Sequence, residues 1–281
     1  MIMELRKKFF NLVCRNCSPD FIEYIRVYET LPKPPQESFE ISCELINGIR
    51  VDSMRLAIMR LYRQDVLRWI SACHHKISFL QDLLYENTTD ECFGIGLADY
   101  PSGLGICRIK IYNTYGRFQS QKRKSTHIQQ SFSVLNIPDV EFRKDWERFK
   151  KVEFSGIDWD REGRAMIKVY FGPFRLEQLF GNFSEVLLKE DILCYDILRQ
   201  KGLLPEKFLF CVRYFQGARS IRTDMRFQTR RIVPYLRIFD HQREASKLFV
   251  DFYRIFPGSR LEYISMQWAP ILKQQFYFWV R

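Results

Sequence analysis

The sequence predicts an α+β protein in which a ten-stranded antiparallel β-barrel is surrounded by helices. Three observations lead to this prediction. Hairpin-like segments occur five times, at intervals of about 53 to 60 residues, and segments with helical periodicity separate them. Each hairpin strand also alternates between an apolar and a polar face. Five antiparallel pairs that alternate with helices can close into one barrel with the helices outside.

Each hairpin contains a turn signal between its two strands. The five segments begin near Ser38, Cys92, Val152, Lys207 and Arg260. Glycine, proline, asparagine and aspartate favour turns, and they predict the turns at Asn47-Gly48, Tyr100–Gly103, Asp158–Gly163, Gln216–Ala218 and Ala269-Pro270. The chain is therefore expected to fold as one domain spanning residues 1–281.

Apolar residues at spacings of three and four predict helices in the intervals. One apolar stripe comprises Val66, Ile70, Cys73, Ile77, Leu80 and Leu84, and another comprises Ala245, Leu248, Phe249, Phe252 and Phe256. Further helices are predicted at Leu5–Cys17, Val140–Phe149 and Leu176–Leu198.

The strand faces predict a polar barrel interior. In the third hairpin the two faces carry Arg164, Met166, Lys168 and Tyr170 on one side and Ala165, Ile167, Val169 and Phe171 on the other. If helices cover the apolar face, the polar face must point into the lumen. The alternative is an antiparallel sheet with its polar face in water. The repeated occurrence of Arg, Lys and Tyr on this face favours the lumen.

Composition and charge narrow the class of protein. Hydrophobic residues make up 46% of the 281 residues, and no apolar run approaches the roughly 18 residues of a membrane span. Without a signal-peptide pattern we expect a cytoplasmic protein, whose eight cysteines are ordinary thiols rather than a metal or redox site. The net charge of +11 is concentrated in Lys122–Lys124 and Arg213–Arg231, which could meet nucleic acid, an acidic protein or a phosphorylated small molecule.

Basic, aromatic and acidic residues on the polar strand faces indicate a specific chemistry. The basic ones would form an anion site suited to a diphosphate: Arg55, Arg108, Lys110, Lys168 and Arg222. Aromatic rings stabilise cations, and Tyr112, Tyr170 and Tyr277 would shield a carbocation. Glu40 is the best-placed carboxylate to accept a proton, with Glu44 and Asp224 as alternatives. The combination indicates ionisation of an allylic diphosphate.

These motifs resemble the ABBA prenyltransferases, and among them the cyanobactin prenyltransferases. The repeated I-K-I-Y and I-K-V-Y strands (Ile109–Tyr112 and Ile167–Tyr170) are similar to the inward strand faces of that family. Phe39–Cys43 resembles its E-x-S-C strand, whose glutamate accepts the proton, and Gly156–Asp158 resembles its G-F/I-D segment. The resemblance places Glu40 in the proton-accepting role and Arg55 on the diphosphate. The fourth hairpin departs, with Arg222 and Asp224 where relatives carry tyrosine.

The resemblance implies a monomeric peptide prenyltransferase of the cyanobactin (RiPP) type, a soluble transferase. It would transfer a dimethylallyl or geranyl group from its diphosphate to a side chain of a ribosomally made cyclic peptide, with Mg²⁺ bound mainly through the diphosphate. The acceptor residue stays open among Tyr, Trp, Ser, Thr, Arg and His. Two alternatives remain: prenylation of a small aromatic metabolite, and, outside enzymes, binding of nucleic acid through Arg213–Arg231.

Overall fold

The computed structural model describes residues 7–8, 10–11, 19–29, 38–47, 49–72, 83–84, 93–99, 106–115, 119–160, 164–239, 244–268 and 272–280. The strands are β1 Ser38–Ile46, β2 Ile49–Leu61, β3 Phe93–Asp99, β4 Ile106–Asn113, β5 Val152–Asp160, β6 Ala165–Phe174, β7 Lys207–Phe215, β8 Ala218–Thr229, β9 Arg260–Gln267 and β10 Lys273–Val280. The helices are α1 Pro19–Glu29, α2 Arg63–Ala72, α3 Gln121–Val134, α4 Val140–Phe149, α5 Leu176–Asn182, α6 Lys189–Gln200, α7 Val233–Phe239 and α8 Glu244–Ile255, with a 3₁₀ turn at Ser184–Val186.

The ten strands form a closed antiparallel barrel. Each strand pairs with its neighbours in the sequence, and β1 pairs with β10 to close the ring. In this last pairing Ser42 lies opposite Tyr277 and Ile46 lies opposite Lys273. Because consecutive strands are antiparallel, the two strands of every hairpin are joined at the same end of the barrel, and the chain leaves one hairpin and enters the next at the other end.

Helices cover the apolar outer face of the barrel. On β6, Ile167, Val169 and Phe171 are at most 1% exposed. The rings of Phe142 and Phe149, both on α4, pack on Phe171 with centroid distances of 6.3 and 4.8 Å. Complete burial of such a side chain stabilises the fold by about 1.5 to 3 kcal/mol. This packing turns the polar strand faces inward and confirms the predicted polar lumen.

The third hairpin differs in detail from its prediction. Strand β5 continues to Asp160, so Asp158 lies within the strand and faces the lumen instead of beginning the turn. Met166, Lys168 and Tyr170 face the lumen as predicted. Arg164 lies just before β6 and is exposed, at the edge of the barrel.

The predicted helix Leu176–Leu198 is two helices in the structure. Helix α5 ends at Asn182, and the 3₁₀ turn at Ser184–Val186 separates it from α6. The predicted turns at Tyr100–Gly103 and Ala269-Pro270, the segment from Cys73 to Leu80 and most of the helix Leu5–Cys17 lie outside the described residues. Helices α1, α3 and α7 are additions to the predicted set. Among the described residues, none of the helices has the length and hydropathy needed to cross a lipid bilayer.

Candidate functional site

A cavity of about 230 Å³ lies inside the barrel, toward the end at which the hairpins turn. Its position follows from Ile46 and Lys273, which line it and stand next to the β1–β2 and β9–β10 turns. The other lining residues are Glu44, Arg55, Ala98, Arg108, Lys110, Tyr112, Met166, Lys168, Tyr170, Arg213, Arg222, Gln275 and Tyr277. Eight of the nine residues predicted as a site are therefore brought together here. The ninth, Glu40, is buried within the barrel but does not line this cavity.

Asp158 holds three of the predicted cations in one cluster. Its carboxylate forms an ion pair with Lys168, and its Oδ2 atom lies 3.7 Å from Arg108 Nη1 and 4.0 Å from Lys110 Nζ. Burial alone would raise the pKa of Asp158, but Lys168, Lys110 and Arg108 hold it well below its usual range. Burial lowers the pKa of Lys168 and Lys110, and the charge of Asp158 opposes this shift. One carboxylate thus orders three cations that face the cavity.

Arg222 is fixed by a second network on the opposite wall. Its Nε atom lies 2.9 Å from Asp224 Oδ1, and its guanidinium donates to Tyr277 Oη at 2.9 Å and to Gln275 Oε1 at 3.2 Å. Gln275 in turn donates to Ser42 Oγ at 3.0 Å. Asp224, which departs from the tyrosine expected in the fourth hairpin, therefore pairs with the neighbouring Arg222.

The cavity wall carries an excess of positive charge. Seven cationic side chains of the described residues line it, namely Arg55, Arg108, Lys110, Lys168, Arg213, Arg222 and Lys273. Three carboxylates pair with these groups: Asp158, Asp224 and Glu44, which forms an ion pair with Arg55. Taking three from seven leaves four positive charges in excess. In a partly desolvated space such charge favours a polyvalent anion.

In the part of the chain that the structure describes, three tyrosines form the aromatic part of the cavity wall, and neighbouring residues hold their rings. Tyr170 stacks on Phe154 with ring centroids 3.9 Å apart. Tyr112 lies opposite Gly156, whose hydrogen in place of a side chain leaves room for the ring. Burial raises the pKa of Tyr112, Tyr170 and Tyr277 above the usual value, so these phenols stay protonated at neutral pH.

Glu40 lies deeper in the lumen, on β1. The indole N–H of Trp279, directly opposite on β10, donates a hydrogen bond to its Oε2 atom. Burial raises the pKa of Glu40 to about 7, although the Trp279 hydrogen bond and the charge of Lys110 act in the opposite direction. A carboxylate that titrates near neutral pH can accept a proton during a reaction and release it afterwards.

A small apolar cluster surrounds this part of the lumen, separate from the main core. It is formed by Ala57, Met59 and Tyr112, with Phe154 and Trp279 packed against it. Tyr112 also lines the cavity, so the cluster and the basic cavity share a wall. The lumen therefore presents charge at its turn end and aromatic surface beside Glu40.

Sequence reasoning missed part of the cavity wall. Arg213 and Lys273 were not predicted in the site, although their lumenal positions follow from the strand alternation that placed Arg222 and Gln275 inside. Arg213 belonged instead to a segment considered for nucleic-acid binding. Asp158 was hidden by its assignment to a turn. Within the described part of the chain, no cluster of three or more His, Cys, Asp or Glu side chains is arranged to hold a metal ion.

The basic segment Arg213–Arg231 is largely engaged within the protein. Arg219 forms two hydrogen bonds with Asp145 at 2.7 and 2.8 Å, and Arg226 pairs with Glu262 at 3.1 Å. Arg213 and Arg222 face the lumen. Arg230 and Arg231 are exposed at the end of β8. Most of the basic side chains in this segment therefore either face the lumen or pair with carboxylates of the protein.

The sequence matches no family model, and a search of curated proteins gave no match. Solved structures do match. The 6-dimethylallyltryptophan synthase from Micromonospora olivasterospora, in complex with DMASPP and Trp, has a TM-score of 0.61 at 12% identity, over 85% of this chain and 80% of that chain. AnaPT from Neosartorya fischeri has a TM-score of 0.62 at 10% identity, over 97% and 91%. NotF in complex with brevianamide F and DMSPP has a TM-score of 0.57 at 12% identity, over 98% and 91%.

At these identities the likeness concerns the fold. Over nearly the whole chain, the closed ten-stranded barrel with helices outside is the fold of the ABBA prenyltransferases, and the predicted fold class is confirmed. The finer resemblance to the cyanobactin prenyltransferases stays a prediction.

Proposed function

We propose that this barrel, which has the fold of the ABBA prenyltransferases, transfers a prenyl group from an allylic diphosphate to an aromatic acceptor. The observation that carries the proposal is the lumen itself. Its cavity has four positive charges in excess and tyrosines in the same wall, and the buried carboxylate of Glu40 lies beyond it. These three features are what the ionisation of an allylic diphosphate and the capture of its cation require.

The basic wall would hold the diphosphate and stabilise it as it leaves. Lys110, Lys168 and Arg108 stand around Asp158, while Arg222 and Arg55 are fixed by their own carboxylate partners. Because these contacts orient the cations before the donor arrives, little reorganisation is needed when the bond between the allylic carbon and the diphosphate oxygen breaks. The electron pair of that bond leaves with the diphosphate.

The tyrosines would protect the resulting cation. Tyr112, Tyr170 and Tyr277 line the same cavity as the basic groups. Each aromatic face contributes roughly 0.5 to 2 kcal/mol to a desolvated cation. Since burial keeps the three phenols protonated, they are weak nucleophiles and would leave the cation to the acceptor.

Glu40 would take the proton that the acceptor loses as its new bond to the prenyl carbon forms. Its pKa of about 7 suits this task at neutral pH. The apolar cluster beside it offers flat surfaces to an aromatic ring. Fold neighbours whose structures contain Trp or brevianamide F support an aromatic acceptor. The cyclic peptide implied by the Phe39–Cys43 strand is the second acceptor to test.

The proposal includes Mg²⁺, which would bind together with the diphosphate. The carboxylates at the cavity, Glu44, Asp158 and Asp224, are each paired with cations. A metal ion would therefore take most of its ligands from the diphosphate and water, which fits the donor set present. When bound, it would neutralise further charge on the leaving group.

The test is incubation with dimethylallyl or geranyl diphosphate, with Mg²⁺ or with EDTA, and with a panel of acceptors read by mass spectrometry. The panel contains tryptophan, tryptophan-containing cyclic dipeptides, simple phenols and macrocyclic peptides. We expect a gain of one prenyl unit on an aromatic acceptor. If only a macrocyclic peptide gains a prenyl unit, the acceptor is a cyclic peptide and not a small aromatic molecule. Folded protein that modifies none of them, yet binds oligonucleotides with strong salt dependence, would instead support the nucleic-acid alternative.

A further inference from the structure

Trp279 makes the hydrogen bond that orients the lumenal carboxylate. It stands directly opposite Glu40 in the pairing of β1 with β10, and its indole N–H donates to Glu40 Oε2. None of the described residues donates a hydrogen bond to the other oxygen, Oε1. The two oxygens of Glu40 are therefore not equivalent.

The position of the indole is fixed by packing as well as by this bond. Trp279 packs against the lumenal cluster of Ala57, Met59 and Tyr112. Tyr112 forms part of the cavity wall, and Tyr277, two residues before Trp279 on the same strand face, forms another part. The indole thus connects the proposed cation site to the proposed proton acceptor.

We propose that Trp279 is a positioning residue for proton transfer: its indole N–H occupies Oε2 of Glu40 and leaves Oε1 to receive the acceptor's proton. The part of this inference that concerns proton transfer to Oε1 rests on the proposed function. The pairing of Trp279 with Glu40 is a separate property that can be measured without substrate.

Other ionisable groups also face Glu40 and set the background for this test. Lys110 on β4 stabilises the ionised carboxylate, whereas Asp224 on β8 and Glu262 on β9 oppose ionisation. The charge of Glu40 also raises the pKa of two phenols, those of Tyr112 and Tyr277. A variant at Trp279 that keeps an aromatic ring leaves these ionisable groups unchanged, so a shift in the pKa of Glu40 reports on the indole N–H.

The variants are Trp279→Phe, which removes the N–H and keeps an aromatic ring, and Trp279→His, which restores a ring N–H. The matched control is Trp268→Phe. Trp268 Nε1 donates to Asp191 Oδ1 at 2.9 Å, and this bond also joins an indole to a carboxylate, but it lies outside the lumen against α6. The control therefore loses the same kind of bond without touching Glu40.

A hydrogen bond to the ionised form lowers a carboxyl pKa, so Trp279→Phe should shift the acidic limb of the pH profile of kcat upward by about half a unit to one unit. Trp279→His should shift it back, and Trp268→Phe should leave it unchanged. A purely structural role would lower kcat or stability without moving the limb, and an unmoved limb in Trp279→Phe overturns the proposal.

A second measurement uses the wild-type chain with ¹⁵N-labelled indoles. Of its five tryptophans, the resonance that disappears in Trp279→Phe should titrate with a midpoint of about 7, and Glu40→Gln should abolish that titration. If Trp279→Phe fails to fold, the same spectra still decide: the pairing is refuted if none of the indole resonances has a titration near pH 7 that Glu40→Gln abolishes. If the resonance titrates but no acceptor is prenylated, the pairing of Trp279 with Glu40 stands. The proposed function then fails, and the role of Trp279 in proton transfer fails with it.

Discussion

Glu40 is the residue on which the proposed chemistry depends most directly. We expect Glu40→Gln to lower turnover by roughly two orders of magnitude or more, as for loss of a general base, while binding of inorganic pyrophosphate stays nearly intact. Glutamine keeps the size of the side chain and an oxygen for the Trp279 N–H. In the wild type, turnover should rise with pH through about 7, where Glu40 ionises. Steady-state kinetics and calorimetry check both statements, and undiminished turnover would remove Glu40 from the role.

His127 is a second residue with a testable ionisation, in the outer layer of the protein. It lies on α3, with Nδ1 2.9 Å from Tyr115 Oη and Nε2 3.2 Å from the carbonyl oxygen of Leu83. The carbonyl can only accept, so Nε2 carries the proton and Nδ1 accepts from the phenol. Burial lowers the pKa of His127 from 6.5 to about 4, which means that the fold holds the neutral ring.

Acid should therefore destabilise the protein through His127. Because the unfolded chain binds this proton below about pH 6.5 and the folded protein only near pH 4, the stabilisation is complete above pH 6.5 and is lost as the pH falls to 4. The loss attributable to this residue is on the order of 3 kcal/mol. Urea unfolding at pH 7 and pH 4.5 measures it. His127→Gln should show a smaller drop, and an equal drop in both proteins would assign the acid sensitivity elsewhere.

At the scale of elements, strand β5 places a glycine where the neighbouring strand needs space. Gly156 lies opposite Tyr112, and a Cβ at Gly156 would stand 3.0 Å from Tyr112 Cδ1. On β3, a Cβ at Gly96 would stand 3.1 Å from Tyr112 Cε2. The ring of Tyr112 therefore lies against the barrel wall beside two glycines, and a side chain at either glycine would crowd it.

Gly156→Ala should push the Tyr112 ring toward the cavity. A smaller donor pocket would lower kcat/KM for geranyl diphosphate relative to dimethylallyl diphosphate by about tenfold, within the range of pocket-shape effects. Gly258→Ala is the control, because nothing lies within 4 Å of a Cβ built at Gly258. Competition between the two donors, read by mass, gives the ratio directly. An unchanged ratio in folded Gly156→Ala would show that the ring does not limit donor length.

Strands could be predicted from this sequence better than helices, for a physical reason. Each strand separates an apolar outer face from a polar lumenal face, so its alternation is visible in the residues. Helix α3 lacks such contrast, because Lys124, Ser125, His127 and Ser131 are buried alongside Ile128 and Phe132. These polar groups are satisfied by tertiary partners, as when Lys124 Nζ donates to the carbonyl oxygen of Val152 at 2.9 Å. Hydrophobic periodicity cannot reveal a helix face of this kind.

The sequence predicts those residues of the candidate site whose position depends only on the alternation of inward and outward side chains along a strand. Lys110, Lys168 and Tyr170 could be assigned to the lumen from alternation alone. The partners of these residues could not, because the contact of Asp158 with Arg108 and Lys110 depends on the register of β4 against β5. The hydrogen bond from Trp279 to Glu40 likewise depends on barrel closure, which joins residues 239 positions apart.

For the whole molecule, the charged lumen predicts stabilisation by an anion. Four positive charges in excess repel one another within the barrel, so a ligand that binds only the folded state should raise its stability. Pyrophosphate at about 100 times its Kd would add about 2.7 kcal/mol. Thermal unfolding with and without pyrophosphate measures the shift.

Lys168→Met is the informative variant for this prediction. It removes one lumenal cation and keeps an unbranched side chain, so the pyrophosphate shift should shrink. Lys144→Met removes an exposed cation of α4 as a control and should leave the shift unchanged. Equal shifts in the wild type and Lys168→Met would exclude Lys168 from the anion site.

The pairing of β1 with β10 also has a consequence for folding. Glu40 belongs to the first strand of the barrel and Trp279 to the last, so the contact between them forms only when the ring closes. Joining strands so far apart in the chain has a high entropic cost of loop closure, so we expect this step to be slow. A partly assembled sheet could gather several of the lumenal cations on β4, β6 and β8, yet it would lack an oriented proton acceptor. Recovery of turnover after dilution from denaturant would therefore report the closure of the barrel and not the earlier formation of its hairpins.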